Sequence, residues 1–162
     1  MNAQNKPVET VEIAPQTEQL QTRFILAQLE HITLVFPSTT VAEIFIVERS
    51  QILALPFYNP VLLGIIHHSG QIIPLISLRQ VMGFPVGLSV EVLTVIRLGD
   101  AAEELAGIGL VVDKTLGMRS SNQLPPDLFS TDIPNLASKS KMQLFEPAIL
   151  ASHLWQPRRW QS

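Results

Sequence analysis

Short apolar runs separated by glycine, proline and polar turns recur along the chain, and the clearest pair flanks Ser69-Gly70. The runs on either side are rich in isoleucine, which favours a pleated strand, and Gly70 suits the positive φ of a tight turn. The pattern predicts a β-hairpin over 64–78 with its tip at Ser69-Gly70. Since proline donates no ladder hydrogen bond, Pro74 predicts that the second strand is bulged or at a sheet edge. Ser77 is expected to cap a short helical turn that Gly83 ends.

The remaining runs predict further strands and one helix. Strands are expected at 22–30, 32–36, 41–47, 90–98, 106–112, 115–118 and 143–145. Pro147 starts a stretch with apolar residues at helical spacing, so a helix is expected up to Trp155. Many short strands with Gly/Pro turns between them indicate an all-β barrel or sandwich.

Residues 1–21 are polar and lack periodicity, so we expect a disordered tail there, followed by one domain over 22–156 and a short tail over 157–162. Hydrophobic residues make up 46% of the 162 residues, which is enough for a real core. No apolar run approaches the roughly 18 residues of a membrane span, and no signal-peptide pattern starts the chain.

The charge and the residue types exclude several functions. The net charge of -3 gives no attraction for nucleic acid, and the chain contains no cysteine, so disulfides and thiolate metal sites are excluded. His67-His68 is the most enzyme-like pair, but consecutive strand residues point to opposite faces and do not chelate one metal. Because catalytic and nucleotide-binding motifs are also missing, we expect no enzyme activity, no cofactor and no metal.

Four features in order resemble those of the CheW family, the adaptor domains of bacterial chemosensory arrays. The first is the opening strand, Phe24-Ile-Leu26, which lies where the family starts. Gly64, Gly70, Pro74 and Leu78 match its hairpin pattern G-x-x-N-x-R-G-x-x-x-P-x-x-D-L. Val41-Ala-Glu-Ile44 matches its V-x-E-I element, and Gly109-Leu-Val-Val-Asp113 matches its G-x-V-V-D strand end. The chain departs from the pattern where the family has Asn, Arg and Asp, since these positions hold His67, Ser69 and Ser77.

The resemblance implies a fold of two intertwined five-stranded SH3-like β-barrels with one or two short helices, and no catalytic activity. It implies a cytoplasmic adaptor at membrane receptor arrays, in chemotaxis, phototaxis or type IV pilus motility. The implied partners are the regulatory domain of a CheA-type histidine kinase and the cytoplasmic tip of a methyl-accepting chemoreceptor.

The resemblance also implies which residues bind each partner. The implied receptor site consists of Glu43, Ile44, Ser69, Val111, Val112 and Asp113. The implied kinase site consists of Ile65, Ile66, Ile72 and Ile73, of which alternate residues must face the core. The loss of the hairpin-tip arginine at Ser69 leaves open a second interpretation, in which the chain is a small β-barrel that binds a different protein or ligand.

Overall fold

The computed structural model describes residues 22–86, 89–130 and 141–155. Within these ranges the chain forms nine β-strands, one short α-helix and several 3-10 turns. The strands are β1 (Arg23–Leu29), β2 (Ile32–Pro37), β3 (Val41–Glu48), β4 (Leu62–His68), β5 (Gln71–Ser77), β6 (Val92–Leu98), β7 (Gly109–Val112), β8 (Lys114–Ser120) and β9 (Met142–Leu144), and the helix is α1 (Leu78–Val81). The expected tails at 1–21 and 157–162 lie outside the described residues.

The strands form two sheets. The smaller sheet has the order β8-β1-β2-β9, and the larger has the order β3-β6-β7-β5-β4. The β2–β9 and β5–β7 pairs are parallel, and the other pairs are antiparallel. The predicted all-β fold is confirmed, with the described strands divided four and five between the sheets.

The predicted hairpin is confirmed as β4 and β5. Ser69 and Gly70 both have positive φ, 50° and 78°, as the favoured two-residue turn requires. Ser77 accepts a hydrogen bond from the Gln80 N–H, so the predicted cap of α1 is also confirmed.

Of the two expectations for the strand of Pro74, a bulge or an edge position, the edge position is wrong, because β5 lies between β4 and β7. The register of the hairpin does shift nearby, between Leu62 and Gly64 on β4. The neighbour of Pro74 on β4 is Ile65, whose N–H and C=O bond Leu53 on the other side. The Ile65–Pro74 pair is therefore not hydrogen-bonded across the hairpin, and the β7 pairing starts only at Leu75. Proline consequently costs no ladder hydrogen bond at this interior position.

The predicted C-terminal helix is replaced by two 3-10 turns, Pro147–Ile149 and Ser152–Trp155. Leu150 between them has an extended backbone (φ -103°, ψ 92°), which breaks any continuous helix. Leu150 and Leu154 are nevertheless both buried in the main core. The apolar spacing thus reflects burial of this segment rather than a regular helix.

The buried side chains form two larger clusters and a small third one on the smaller sheet. A shared core lies between the two sheets and includes Ala27, Phe36, Ile96 and Leu110. A second, inner core fills the concave side of the larger sheet, from Val47 and Leu93 to Ile66 and Ile73. The larger sheet curls so far that its two outer strands meet, since Phe45 of β3 stacks on His68 of β4 with ring centroids 3.9 Å apart. This inner core is the rigid frame on which the candidate surfaces are built.

Candidate interaction surfaces

The outer side of the β4–β5 hairpin presents apolar side chains to solvent. Ile72 is 67% exposed, and Ile65 is half-buried. Leu53, which is 61% exposed, pairs with Ile65 through an isolated bridge and lies on the same side. We call Leu53, Ile65, His67 and Ile72 the hairpin face.

Ile66 and Ile73 point the other way. They are 4% and 1% exposed and belong to the inner core, so their side chains do not reach a partner. This corrects the four-isoleucine kinase site that the sequence implied, because strand side chains alternate between the two faces. Of that set, only Ile65 and Ile72 remain candidates for contact.

The two adjacent histidines also separate, as the alternation predicts. His67 is exposed on the hairpin face, whereas His68 points inward and stacks nearly parallel to Phe45, with 8° between the rings. His68 Nε2 lies 3.5 Å from Glu43 Oε1. Within the described ranges no group of three or more His, Asp or Glu side chains is placed to hold a metal.

Glu43 belongs to a polar cluster that closes one end of the inner core. Its Oε1 lies 3.1 Å from Arg97 Nε, and Arg97 Nη1 donates a hydrogen bond to the Gln71 side-chain oxygen. The Nε–H is not aligned for a hydrogen bond, so the Glu43–Arg97 contact is an ion pair. We call Glu43, His68, Gln71 and Arg97 the charge cluster.

Sequence reasoning missed Arg97, which lies 54 positions beyond Glu43 and carries no motif. Only the β3–β6 register, in which Glu43 is paired with Arg97, brings the two side chains to one face. Ser69 is exposed at the hairpin tip, next to His68 of this cluster.

Ile44 lies on the opposite side of β3 from Glu43. It is paired with Ile96 of the shared core, and its 41% exposure places it at the edge of that core. Ile46, two residues further on the same side, is 67% exposed. Because β3 is an outer strand of its sheet, Ile44 and Ile46 form an accessible apolar strip, which we call the β3 strip.

Val111 and Val112 are 8% and 4% exposed and line the two cores. Both also line an open groove, so their implied place among the receptor contacts stays a prediction. Asp113, which follows β7, is exposed but already has partners. It accepts a hydrogen bond from the Glu30 N–H at 2.7 Å and pairs with Arg79 Nη2 at 3.1 Å.

Arg79 of α1 joins Asp113 to the β1–β2 turn, because it also forms an ion pair with the Glu30 carboxylate. Burial acts to lower the pKa of the Arg79 guanidinium, but the hydrogen bonds to Glu30 and Asp113 outweigh it and raise that pKa. Because the pKa is raised, these ion pairs contribute stability at every pH below the ordinary arginine pKa. The contribution is lost only as the pH rises through the raised pKa. These ion pairs tie the two sheets together at this end of the molecule.

A scan against protein-family models matches residues 23–137 to the CheW-like domain. The chain belongs to the CheW-like family. The crystal structure of scaffolding protein TtCheW from Thermoanaerobacter tengcongensis has a similar fold, with a TM-score of 0.51 over 68% of this chain and 75% of that chain. The two sequences are 18% identical. A search of curated proteins found no match.

Membership confirms the resemblance and supports a general adaptor role in chemosensory signalling for this CheW-like chain. CheW-like proteins are scaffolds rather than enzymes, which fits the expected lack of catalysis. In the part of the chain that the structure describes, no helix is long and apolar enough to cross a membrane.

The geometry of this CheW-like chain divides the six implied receptor residues between two ends of the larger sheet. Glu43 shares a row with Arg97 and Gly109 across β3, β6 and β7. Asp113 lies four residues beyond Gly109, which corresponds to about 13 Å along a strand. Glu43 and Asp113 therefore do not form one compact site.

The end of the inner core opposite the charge cluster is open. A groove of about 360 Å³ there is lined by residues that include Arg49, Leu63, Arg79, Leu93, Val111 and Asp113. We call it the Arg49 groove.

Proposed function

We propose that this chain is a non-enzymatic adaptor that couples methyl-accepting chemoreceptors to the regulatory domain of a CheA-type histidine kinase. The proposed location is the cytoplasmic side of membrane receptor arrays, in control of taxis or of pilus motility. The observation that carries the proposal is the pair of exposed apolar surfaces on one rigid, family-typical core: the hairpin face and the β3 strip.

The hairpin face is the proposed kinase contact. Ile72 and Leu53 are both more than half exposed. Burying them against a partner's barrel would contribute a favourable free energy of about 25 cal/mol per Å² of apolar surface removed from water. Their neighbours Ile66 and Ile73 anchor the same two strands in the inner core. The contact surface is thus held in place before binding, which lowers the ordering cost of association.

The β3 strip is the proposed receptor contact, because Ile44 lies at the boundary of the shared core where the two sheets meet. Glu43 lies on the other, inner side of β3, and Ser69 lies at the hairpin tip. On that inner side Glu43 contacts His68 and Arg97, so a receptor tip on Ile44 would not cover it directly. The Glu43 carboxylate would then serve mainly to hold β3 against β4 and β6 through His68 and Arg97.

We expect Ile72→Asp to weaken kinase binding by at least about tenfold, since a charge would replace a central apolar contact. Calorimetric titration of the chain against the regulatory domain of the CheA-like kinase from the same source measures this change. Ile46→Asp is the matched control, because Ile46 has the same 67% exposure on another surface. Equal kinase affinity of the wild type and Ile72→Asp would remove the hairpin face from the interface.

We expect the reverse pattern for the receptor. Ile46→Asp should reduce co-sedimentation with a receptor cytoplasmic fragment by at least about tenfold, while Ile72→Asp retains wild-type binding. Both positions are exposed, so neither change should alter the free energy of unfolding by more than about 0.5 kcal/mol. Undiminished receptor binding by Ile46→Asp would exclude the β3 strip.

The second candidate function is that of a β-barrel binding module with a different protein or ligand partner. Ser69 favours it, because this hairpin tip lacks the charged side chain that the family pattern has there. Failure of the folded wild-type chain to bind either the kinase domain or the receptor fragment would support this alternative.

A further inference from the structure

The two outer strands of the larger sheet meet without backbone pairing. β3 and β4 lie at opposite ends of the strand order, and among the described residues no backbone hydrogen bond joins them. Phe45 of β3 and His68 of β4 nevertheless stack, so the sheet closes on itself at this point. We call the contact of Glu43 and Phe45 with His68 the seam. It closes through side chains, whereas neighbouring strands of the sheet are joined by ladders of backbone hydrogen bonds.

The contacts across the seam are weak compared with these ladders. Besides the ring stack, the seam has the 3.5 Å contact between His68 Nε2 and Glu43 Oε1. Both side chains are about one-third exposed, and water screens a contact between partly exposed groups. Opening the seam therefore costs less than separating β3 from β6, with which β3 is paired from Val41 to Glu48. The packing of Phe45 against the inner core favours the closed form in the free chain.

The seam lies directly behind the β3 strip. Alternate residues of a strand point to opposite faces, so Glu43 and Phe45 point towards the seam while their neighbours Ile44 and Ile46 form the strip. A partner that packs on the strip fixes the backbone of 43–46, which also carries the seam side chains. Binding at the strip thus favours the closed seam over the open one.

The hairpin face borders the seam from the other strand. His68 points into the seam, whereas the adjacent His67 lies on the hairpin face. A partner that packs on the hairpin face therefore fixes the backbone that presents His68. Arg97 of β6 adds a second link, because it contacts the Glu43 carboxylate and donates a hydrogen bond to the Gln71 side chain on β5.

We propose that the seam opens and closes, and that it couples the β3 strip to the hairpin face. Each partner binds the closed form more tightly, so each raises the affinity of the chain for the other. The two effects are equal by thermodynamic linkage. The seam is thus a regulatory element of the adaptor, and this inference rests on the proposed function for the identity of the two partners.

The test measures the affinity of the full chain for the kinase regulatory domain by calorimetry, without and with a saturating receptor cytoplasmic fragment. For the wild type we expect binding to be at least about threefold tighter with the fragment. His68→Leu removes the ring stack and the Glu43 contact but keeps an apolar side chain at the seam, so it should reduce this ratio to about one. Phe45→Leu should do the same, because it removes the other ring.

His31→Leu is the matched control. His31 also contacts a phenylalanine ring, that of Phe84, with ring centroids 5.5 Å apart, but it lies between β1 and β2 and belongs to neither proposed contact surface. This variant should keep the wild-type ratio. A wild-type ratio of one, or an undiminished ratio in His68→Leu, would overturn the inference while both separate affinities stay intact. Failure of the folded wild type to bind either fragment alone would overturn the proposed function and this inference with it.

Amide hydrogen exchange of the wild type tests the inference without any variant. The receptor fragment should slow the exchange of the amides at 66–68 on β4 by at least about threefold, although its proposed contact is on β3. Unchanged exchange there would show that the seam does not respond to the strip, and it would overturn the proposal even if the substituted chains fail to fold.

Discussion

Gly64→Ala is expected to lower the free energy of unfolding by about 3 kcal/mol or more. Gly64 has φ +145°, a conformation that residues with a Cβ rarely adopt. A Cβ there would lie 2.3 Å from the Leu53 carbonyl oxygen and 2.8 Å from Ile52 Cγ2. The segment 52–53 would have to move, which would break both hydrogen bonds between Leu53 and Ile65.

Urea unfolding of the wild type and the variant measures this loss. Gly70→Ala is the control, because Gly70 also has positive φ, +78°, but nothing lies within 4 Å of its added Cβ. It should lose only the cost of the backbone conformation, about 1 kcal/mol. Similar losses at the two glycines would mean that the close approach of Leu53 to Gly64 contributes little to stability.

Ile73→Ala is expected to cost about 2–5 kcal/mol of stability, whereas Ile72→Ala should cost less than about 0.5 kcal/mol. The residues are adjacent and chemically identical, but Ile73 is 1% exposed in the inner core and Ile72 is 67% exposed. Removing the Ile73 side chain leaves a cavity, while removing the Ile72 side chain changes only a solvated surface.

Equilibrium denaturation of the two variants under identical conditions gives the comparison. A reversed order would show that the hairpin pairs with a register shifted by one residue, since such a shift exchanges the two faces of a strand. The same pair of variants also separates stability from binding, because only Ile72 lies on the proposed kinase contact.

The positions of the candidate surfaces follow from the curl of the larger sheet. The hairpin face lies on β4, β5 and the neighbouring Leu53, and the β3 strip lies at the opposite end of the strand order, on β3. The stack of Phe45 on His68 and the ion pair between Glu43 and Arg97 connect β3 to both β4 and β6. The two proposed partners would therefore contact one closed, well-packed unit rather than separate flexible elements.

The sequence by itself determined the local elements of this protein. Alternating and β-branched residues predicted β1 to β7 to within a few residues, Ser69-Gly70 predicted the hairpin turn, and Ser77 predicted the cap of α1. These features depend on intrinsic backbone preferences and on neighbours close in the chain, so they are visible in the pattern. The family motifs, which are also local, were enough to predict the fold class.

Only the tertiary structure decided how these elements meet. It placed β5 inside the sheet in spite of Pro74, and it turned Ile66 and Ile73 inward and Ile65 and Ile72 outward. It also brought Asp113 to the Glu30 N–H, 83 residues away. Because β4 and β5 carry isoleucine on both faces, their pattern does not show which face is buried, and the curvature of the sheet arises from non-local pairing and the filling of the cores.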